Sequence, residues 1–356
     1  MLVLIDGSNL AHRSVHAAYK DLGHYSYIDA IPYFFKRLSG LLEYHHLMAG
    51  VLIAWDKGIP LHRRQIYSEY KPDSKPVGNI DPRFLSKINQ DPSLSPHRET
   101  KGNESFLSEY SKFIEIMSEF AAPLTNCLSV RVENVEADDI IAYCCYHLKG
   151  VEKQIISSDK DLLQLVDETT SVYNFSSPNP NSNVYDYDWI MMNYDYPKRF
   201  REAFLVEKAI LGDTSDNIPG IELVGSTTAK KYTNSIIRNR INGMSLNEAI
   251  DQVERPERAS KKGYENLKNS PNIIQRNYDL MDLHLPIHGK FEIVKNIQKV
   301  ISGFLNLELD YYDALDRLEE REDFPFNKCY TSIDKVYESN CNYDRKFILE
   351  KIRDAT

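Results

Sequence analysis

The sequence has few cysteines, and they lack the spacing that builds a zinc site or a disulfide framework. Its 356 residues include five cysteines, an odd number without a paired motif, so reduced structural thiols of the kind common in the cytosol are expected. The sequence also lacks an uninterrupted run of about 18 apolar residues and a basic segment before its first apolar residues. We therefore expect a cytoplasmic protein that is neither secreted nor inserted in a membrane.

A surplus of positive charge, typical of nucleic-acid-binding proteins, is missing as well, because the net charge is −9 at pH 7. The charge is unevenly distributed, however. Residues 57–101 carry nine Lys or Arg against five Asp or Glu, and residues 226–262 carry eight against four. Residues 307–324 are strongly acidic and are expected to face solvent or a protein partner. Composition alone therefore leaves a nucleic-acid partner open.

Short apolar runs that end in turn residues recur along the chain. The runs LVLI, GVLIAW and KQIISS are followed by Asp6, Asp56 and Asp159. Such runs are typical of buried parallel strands, and the helical stretches between them predict an α/β domain with a mostly parallel sheet, extended by residues 128–132 and 171–175. Because ligands bind beyond the carboxyl ends of parallel strands, the three aspartates are expected at one rim. Each taken singly also fits a helix cap or an Asx turn.

Two other patterns bear on the fold. Apolar residues at helical spacing predict an amphipathic helix that packs on the sheet, with the stripe Phe106, Tyr110, Phe113, Met117 and Phe120. From about residue 203 the pattern is mostly helical, and a strand-like alternation returns only in KFEIV at residues 290–294.

Acidic residues gather in three short segments. VEADD contains Glu136, Asp138 and Asp139, SSDKDLLQL contains Asp159 and Asp161, and GDTSDN contains Asp213 and Asp216. Acids at a helix start also complement the helix dipole, which accounts for one or two of them. With Asp6 and Asp56 the carboxylates number nine. Without an accompanying His or Cys pattern, they favour Mg²⁺ or Mn²⁺. So many acids predict two ions, roughly 4 Å apart, that hydrolyse a phosphodiester.

Six ordered blocks carry a family resemblance: LVLIDGSNLAHR, AWDKG, YSEYK, VEADDIIA, SSDKDLLQL and LGDTSDNIPGI. Together they resemble the 5′-nuclease family, which comprises bacteriophage 5′-exonucleases, the 5′-nuclease domain of bacterial DNA polymerase I and flap endonucleases. The resemblance covers roughly residues 1–235. It implies an α/β catalytic domain of PIN-like fold at residues 1–200, a helical DNA-binding domain at 201–295 and a C-terminal extension at 296–356. The proline-rich insertion at about 72–103 would form a helical arch or lid over single-stranded DNA.

The resemblance also implies roles for individual residues. The first metal would be held by Asp6, Asp56, Glu136, Asp138 and Asp139, and the second by Asp159, Asp161, Asp213 and Asp216. Lys71 matches a lysine that contacts the scissile phosphate, Arg63 matches an arginine ahead of it, and Arg13 matches a basic residue that touches the substrate strand. Tyr70 is expected to stack on an unpaired base, with plain packing as the alternative.

DNA contacts are expected from two segments. In the insertion, Arg83, Lys87, Arg98 and Lys101 would guide the displaced strand. The segment NIPGIELVGSTTAKKY resembles the helix-hairpin-helix-like element that grips duplex DNA, with Gly220 and Gly225 in the turn and Lys230 and Lys231 near the phosphates. It departs from the family at Leu223 and Thr227, where relatives usually have glycine and lysine. Relatives often hold K⁺ at this turn.

The implied function is a structure-specific 5′-nuclease that acts as a 5′-3′ exonuclease and flap endonuclease in replication, in a bacteriophage setting. Its substrates would be DNA with a 5′ flap, a nick or a free 5′ end, and RNA primers in RNA–DNA hybrids. We expect a monomer, recruited by a single-strand-binding protein or a sliding clamp. Two alternatives stay open: a PIN-type ribonuclease, and a duplex-DNA-binding scaffold without catalytic activity.

Overall fold

The computed structural model describes residues 1–44, 50–71, 96–176, 183–284, 291–303, 310–321, 324–340 and 350. Arg83, Lys87 and most of the predicted arch lie outside these residues. In chain order, the strands are β1 (Leu2–Asp6), β2 (Gly50–Trp55), β3 (Leu128–Arg131), β4 (Lys153–Ile156), β5 (Thr170–Tyr173) and β6 (Val184–Tyr185). The α-helices are α1 (Gly7–Leu22), α2 (Tyr27–Tyr44), α3 (Leu61–Ile66), α4 (Pro96–Thr125), α5 (Ala137–His147), α6 (Tyr187–Asn193), α7 (Phe200–Leu211), α8 (Ser226–Ile241), α9 (Leu246–Asp251), α10 (Lys261–Lys268), α11 (Pro271–Met281), α12 (Phe291–Gly303), α13 (Tyr311–Glu319) and α14 (Phe326–Asn340).

The chain divides into two compact units, each built from separate stretches of sequence. The first unit contains Met1–Asp56, Ser74–Val132 and Gln298–Thr356, and the second contains Lys57–Asp73 and Glu133–Ile297. The three domains predicted from the sequence are functional divisions and stay a prediction. Among the described residues, we find no helix that is both long enough and apolar enough to cross a membrane.

In the first unit, three parallel strands lie in the order β3-β2-β1. Every residue of β1 and β2 is buried, as expected for strands covered on both faces. Gly7 begins α1 so close to β2 that a methyl group on it would lie 2.7 Å from the Ile53 side chain. The predicted stripe of α4 belongs to the core, with Phe113 and Met117 completely buried. Helix α14 packs on α2 and α4, and α13 packs on α4.

In the second unit, β4 and β5 are parallel and β6 pairs antiparallel with β5. The predicted mostly parallel sheet flanked by helices is therefore confirmed. Helices α7 to α11 form a second core around fully buried residues that include Tyr232, Ile236 and Leu267. One expectation was wrong: the described residues of KFEIV, from Phe291 to Val294, belong to α12 and not to a strand. Val294, Ile297 and Ile301 are buried at steps of three and four residues. This spacing is that of a helix, and it extends further than the short strand-like alternation on which the prediction rested.

Candidate active site

The VEADD segment forms the start of α5. Glu136 is the N-cap in extended conformation, and a capping box links it to Asp139: the Glu136 side chain accepts from the backbone of Asp139, and the Asp139 side chain accepts from the backbone N–H of Glu136. This arrangement holds three acids on the first turn, where the helix dipole favours negative charge. Carboxylate oxygens of Glu136, Asp138 and Asp139 lie within 4.8 Å of one another. We call these three residues the first acid cluster.

Arg63 of α3 lies beside the first acid cluster and forms ion pairs with two of its members, Glu136 and Asp139. Its side chain is buried, and its Nε donates to the Leu280 carbonyl at 3.2 Å. Burial would lower the pKa of the guanidinium, but Asp139 and Glu136 raise it well above the usual value, so the charge is kept. The catalytic role expected for Arg63 stays a prediction, and in this structure protein groups surround its side chain. It neutralises acids that we expected divalent ions alone to balance.

Tyr70 and Lys71 contact the first acid cluster from another side. The Tyr70 hydroxyl lies 3.1 Å from Glu136 Oε2 and 3.2 Å from Asp216 Oδ2. Tyr70 is 2% exposed and packs with Leu205 and Ile218, which favours the packing alternative, and the base-stacking role stays a prediction. Lys71 pairs with Glu136 and lies 3.5 Å from Asp216 Oδ1, while its side chain stays 38% exposed.

A second acid cluster consists of Asp159, Asp161 and Asp213. Asp159 follows β4, caps a 3₁₀ helix (Lys160–Leu165) and accepts from the Asp161 N–H at 2.9 Å. Burial, together with the charge of Asp161, raises the pKa of Asp159 to about 6. Lys208 of α7 contacts Asp161 and lies 3.2 Å from Asp213 Oδ2. Sequence reasoning missed Lys208, although a lysine in the apolar stretch FLVEKAIL five residues before Asp213 was a usable signal.

Charge couples the two clusters through Asp216. Burial raises the pKa of Asp216, Lys71 opposes the change, and the charges of Glu136 and Asp213 reinforce it. In the same way, burial would raise the pKa of Glu136, but Arg63 and Lys71 outweigh it and the pKa lies below its usual value. The acids predicted from VEADD, SSDKDLLQL and GDTSDN are therefore brought together in the second unit.

Asp6 and Asp56 belong to the first unit. They follow the neighbouring parallel strands β1 and β2, so they share one edge of that sheet. Asp6 caps α1 by accepting from the Asn9 N–H at 2.9 Å, which is the structural role that we had kept as an alternative. The backbone N–H of Asp56 donates to Ser8 Oγ at 2.8 Å. Arg13 is exposed on α1. Their parts in metal and substrate binding stay predictions.

The predicted DNA-binding turn lies between α7 and α8. Gly220 packs against the end of α7, where a side chain would overlap the Leu211 carbonyl. Gly225 is the N-cap of α8, in open space. Leu223, at a position where the sequence departs from the family's usual glycine, has φ 62°, so a leucine that is 61% exposed adopts a left-handed conformation that favours glycine. On α8, Lys231 is exposed and Lys230 lies 5.7 Å from the Tyr194 ring centroid.

The first acid cluster fits a hard divalent cation. Its donors are all carboxylate oxygens, the type that Mg²⁺ and Mn²⁺ prefer. One of them, Asp138 Oδ1, is buried and has no hydrogen-bond partner in the described structure. Burial raises the pKa of Asp138 well above its usual value, Arg63 opposes this, and Asp139 and Glu136 add to it. A cation beside Asp138 would reverse that penalty.

Comparison with known proteins identifies the family. Residues 1–195, more than half of the chain, match the family described as 5′-3′ exonuclease, N-terminal resolvase-like domain. The chain therefore belongs to this family, and the resemblance inferred from the sequence blocks is confirmed.

Several relatives carry names of the same kind. The 5′-3′ exonuclease of Buchnera aphidicola subsp. Schizaphis graminum is 25% identical over 294 residues, which cover 80% of this chain and 87% of that protein. The flap endonuclease of Escherichia phage T5 is 28% identical over 284 residues, 79% of this chain and 83% of the relative. DNA polymerase I of Streptococcus pneumoniae serotype 4 is 29% identical over 241 residues, but these cover only 23% of the polymerase.

Solved structures support the fold. The bacteriophage T5 D15 protein co-crystallised with metal ions matches with a TM-score of 0.53 at 20% identity, covering 95% of this chain and 98% of that one. A T5 D15 flap endonuclease structure described as a pseudo-enzyme-product complex with DNA and metal ions matches with a TM-score of 0.54 at 20% identity, covering 99% of both chains.

Proposed function

We propose that the protein is a divalent-metal-dependent, structure-specific 5′ nuclease that hydrolyses phosphodiester bonds of DNA near a free 5′ end or at a 5′ flap. The observation that carries this proposal is the first acid cluster, with its buried, unpartnered Asp138 oxygen, in a chain of the 5′-3′ exonuclease family. Relatives named 5′-3′ exonuclease and flap endonuclease support the same activity.

Two ions, Mg²⁺ or Mn²⁺, are the proposed cofactors. The first acid cluster would provide the site of one ion, and the second acid cluster together with Asp216 would provide the site of the other. When bound, such ions supply an activated water and stabilise the leaving oxygen of a phosphodiester. The ligand roles of Asp6 and Asp56 and a K⁺ ion at the turn before α8 are further parts of the proposal, supported by the family resemblance.

Lys71 is the proposed contact to the scissile phosphate. Its backbone is held by an N–H that donates to the Asp216 carbonyl at 3.2 Å, and φ is 42°. Its ammonium group is partly open to solvent beside Glu136, so a phosphate can reach it without unfolding the site. A cation placed there stabilises the negative charge that develops on phosphoryl oxygens during hydrolysis.

Duplex binding is proposed at the turn before α8. The first N–H groups of a helix attract phosphate oxygens, and α8 begins at an exposed Gly225 that provides no side-chain cap. Lys230 and Lys231 would add charge. RNA–DNA hybrids as further substrates, a single-strand-binding protein or sliding clamp as partner, a monomeric state, a cytoplasmic location and a bacteriophage replication setting complete the proposal.

Cleavage of a 5′-labelled flap duplex tests the proposal. With Mg²⁺ we expect short 5′ products from the intact protein, none with a chelator, and a loss of cleavage by about 100-fold or more in Asp138→Asn. Glu254→Gln, which changes an exposed acid outside both clusters, should cleave normally.

Two results would contradict the proposal. Binding of the flap without cleavage would favour the scaffold alternative. Cleavage of single-stranded RNA with no dependence on a 5′ end would favour the PIN-type ribonuclease.

A further inference from the structure

The two adjacent aspartates of the first acid cluster have different surroundings. Both oxygens of Asp139 are occupied by Arg63: Nη1 donates to Oδ2 at 2.9 Å, and Nη2 donates to Oδ1 at 2.7 Å. Oδ2 also lies 3.4 Å from the backbone N–H of Glu136. The residue is 1% exposed. Such a bidentate arginine–carboxylate pair is among the strongest and most directional polar contacts in proteins.

Arg63 is fixed on its other sides as well. Its Nη1 also donates to Glu136, and its Nε donates to the Leu280 carbonyl at the end of α11. Asp139 thus neutralises and orients an arginine that in turn holds Glu136. Turning Asp139 toward an ion would leave a buried guanidinium without its main partner, which is costly in a protein interior.

Asp138 is the opposite case. It lies one residue earlier on the same helical turn, yet its Oδ1 is buried without any hydrogen-bond partner in the described residues. Native proteins satisfy nearly all buried polar atoms, and exceptions often mark a position where an ion or a water belongs.

We infer that Asp139 is a positioning residue and not a metal ligand, and that Asp138, the acid of this cluster with an unpartnered oxygen, binds the ion at α5. Asp139 acts through Arg63, which holds the Glu136 carboxylate in place. This inference rests on the proposed function, and it differs from the sequence prediction, which treated all three acids alike.

The test compares two isosteric variants, Asp138→Asn and Asp139→Asn, without and with Mn²⁺. Thermal unfolding without metal should separate the two variants: Asp138→Asn exchanges a buried carboxyl group without a partner for an amide of the same shape and should change Tm little, whereas Asp139→Asn weakens a buried ion pair and lowers Tm. Calorimetric titration with Mn²⁺ should show one ion fewer in Asp138→Asn. Asp139→Asn should keep the number of ions and lose about 10-fold in affinity, as outer-shell changes do.

Arg63→Lys keeps the positive charge but loses the bidentate contact with Asp139, and it is the substitute variant if Asp139→Asn does not fold. Arg63→Lys should also bind the same number of Mn²⁺ ions with reduced affinity. Arg201→Met is the control, because it removes an arginine that pairs with Asp282 outside both clusters, and it should leave Mn²⁺ binding unchanged. Loss of one ion in Asp139→Asn, with a metal-free Tm equal to that of the wild type, would overturn the inference. Absence of Mn²⁺ binding and of cleavage in the wild type would instead refute the proposed function.

Discussion

Lys208 offers a direct test of how the protein balances the charge of its site. Its ammonium group bridges Asp161 and Asp213, and the three side chains are only 19%, 23% and 21% exposed. Burial would lower the pKa of Lys208, but the two aspartates raise it above the usual value, so it stays protonated. In Lys208→Met the side chain keeps its apolar stem and loses its charge. Two carboxylates are then left close together without their cation.

The expected effect follows from this partial burial. Removing one partner of a fully buried ion pair costs about 3–5 kcal/mol, whereas an exposed pair is worth less than about 1 kcal/mol. At about one fifth exposure we expect a loss of roughly 2 kcal/mol of unfolding free energy. For a unit of this size that lowers Tm by about 4–8 °C.

Divalent ions should reverse the loss. An ion that binds only the folded state stabilises it by about 2.7 kcal/mol at 100 times its dissociation constant. Because the variant leaves Asp161 and Asp213 free to bind, Mg²⁺ should raise its Tm more than it raises the Tm of the wild type.

Thermal unfolding followed by circular dichroism, with EDTA and with Mg²⁺, measures both effects. Lys268→Met is the matched control, because the Lys268 ammonium contacts the backbone carbonyls of Ile250 and Asp251 and, within the described parts of the chain, no side-chain carboxylate. The control should show the same Mg²⁺ response as the wild type. If Lys208→Met matches the wild type in EDTA and in its Mg²⁺ response, the reasoning about the second acid cluster is wrong.

Three further outcomes are expected. Leu223→Gly should raise the unfolding free energy by about 1 kcal/mol, because φ 62° strains a leucine; in a urea titration Leu223→Ala should give no such gain, and a gain of equal size would point to the exposed side chain as the cause. Tyr70→Phe keeps the ring and removes the hydroxyl beside Glu136 and Asp216, so kcat on a flap substrate should fall while the DNA dissociation constant is unchanged; unaltered kcat would contradict a role for the hydroxyl. Packing against neighbouring rings desolvates His12 and, with the charges of His16 and Arg13, lowers its pKa from 6.5 to about 4; because the residue is still exposed on α1, only a small decline of stability is expected as pH falls from about 6.5 to about 4. Denaturant titrations at several pH values should show a smaller decline in His12→Asn, and an identical decline would exclude His12 as its source.

Local patterns in the sequence were sufficient to predict the strands of the sheet and the acidic helix start of the site. The apolar runs before Asp6, Asp56 and Asp159 became β1, β2 and β4, because a continuous buried run closed by turn residues carries its signal within a few positions. The VEADD segment likewise gave the start of α5, since capping depends on neighbours three residues apart.

The sequence could not predict which acids the cations of the site would contact. Arg63 lies 76 residues before Asp139, and Lys208 lies 47 residues after Asp161. Nothing in a single sequence shows which distant charges meet, because pairing depends on how the helices pack. The burial of Tyr70 could not be predicted for the same reason: the residue packs against Leu205 and Ile218, which belong to α7 and the turn after it.

The charges of the second unit bear on the number of ions. Seven predicted acids lie there (Glu136, Asp138, Asp139, Asp159, Asp161, Asp213 and Asp216), and in the described part of that unit they contact three cations, Arg63, Lys71 and Lys208. When all seven acids are ionised, as metal binding requires, the protein's own cations balance three carboxylates and leave four negative charges, the amount that two divalent ions neutralise. The sequence argument left the whole negative charge of the acids to be neutralised by metal ions. In the structure, Arg63 and Lys208 pair with some of these acids and hold them in place, and the remaining negative charge is available for metal ions. Two ions are thus expected from charge balance even when the carboxylates that serve as direct ligands are fewer than nine.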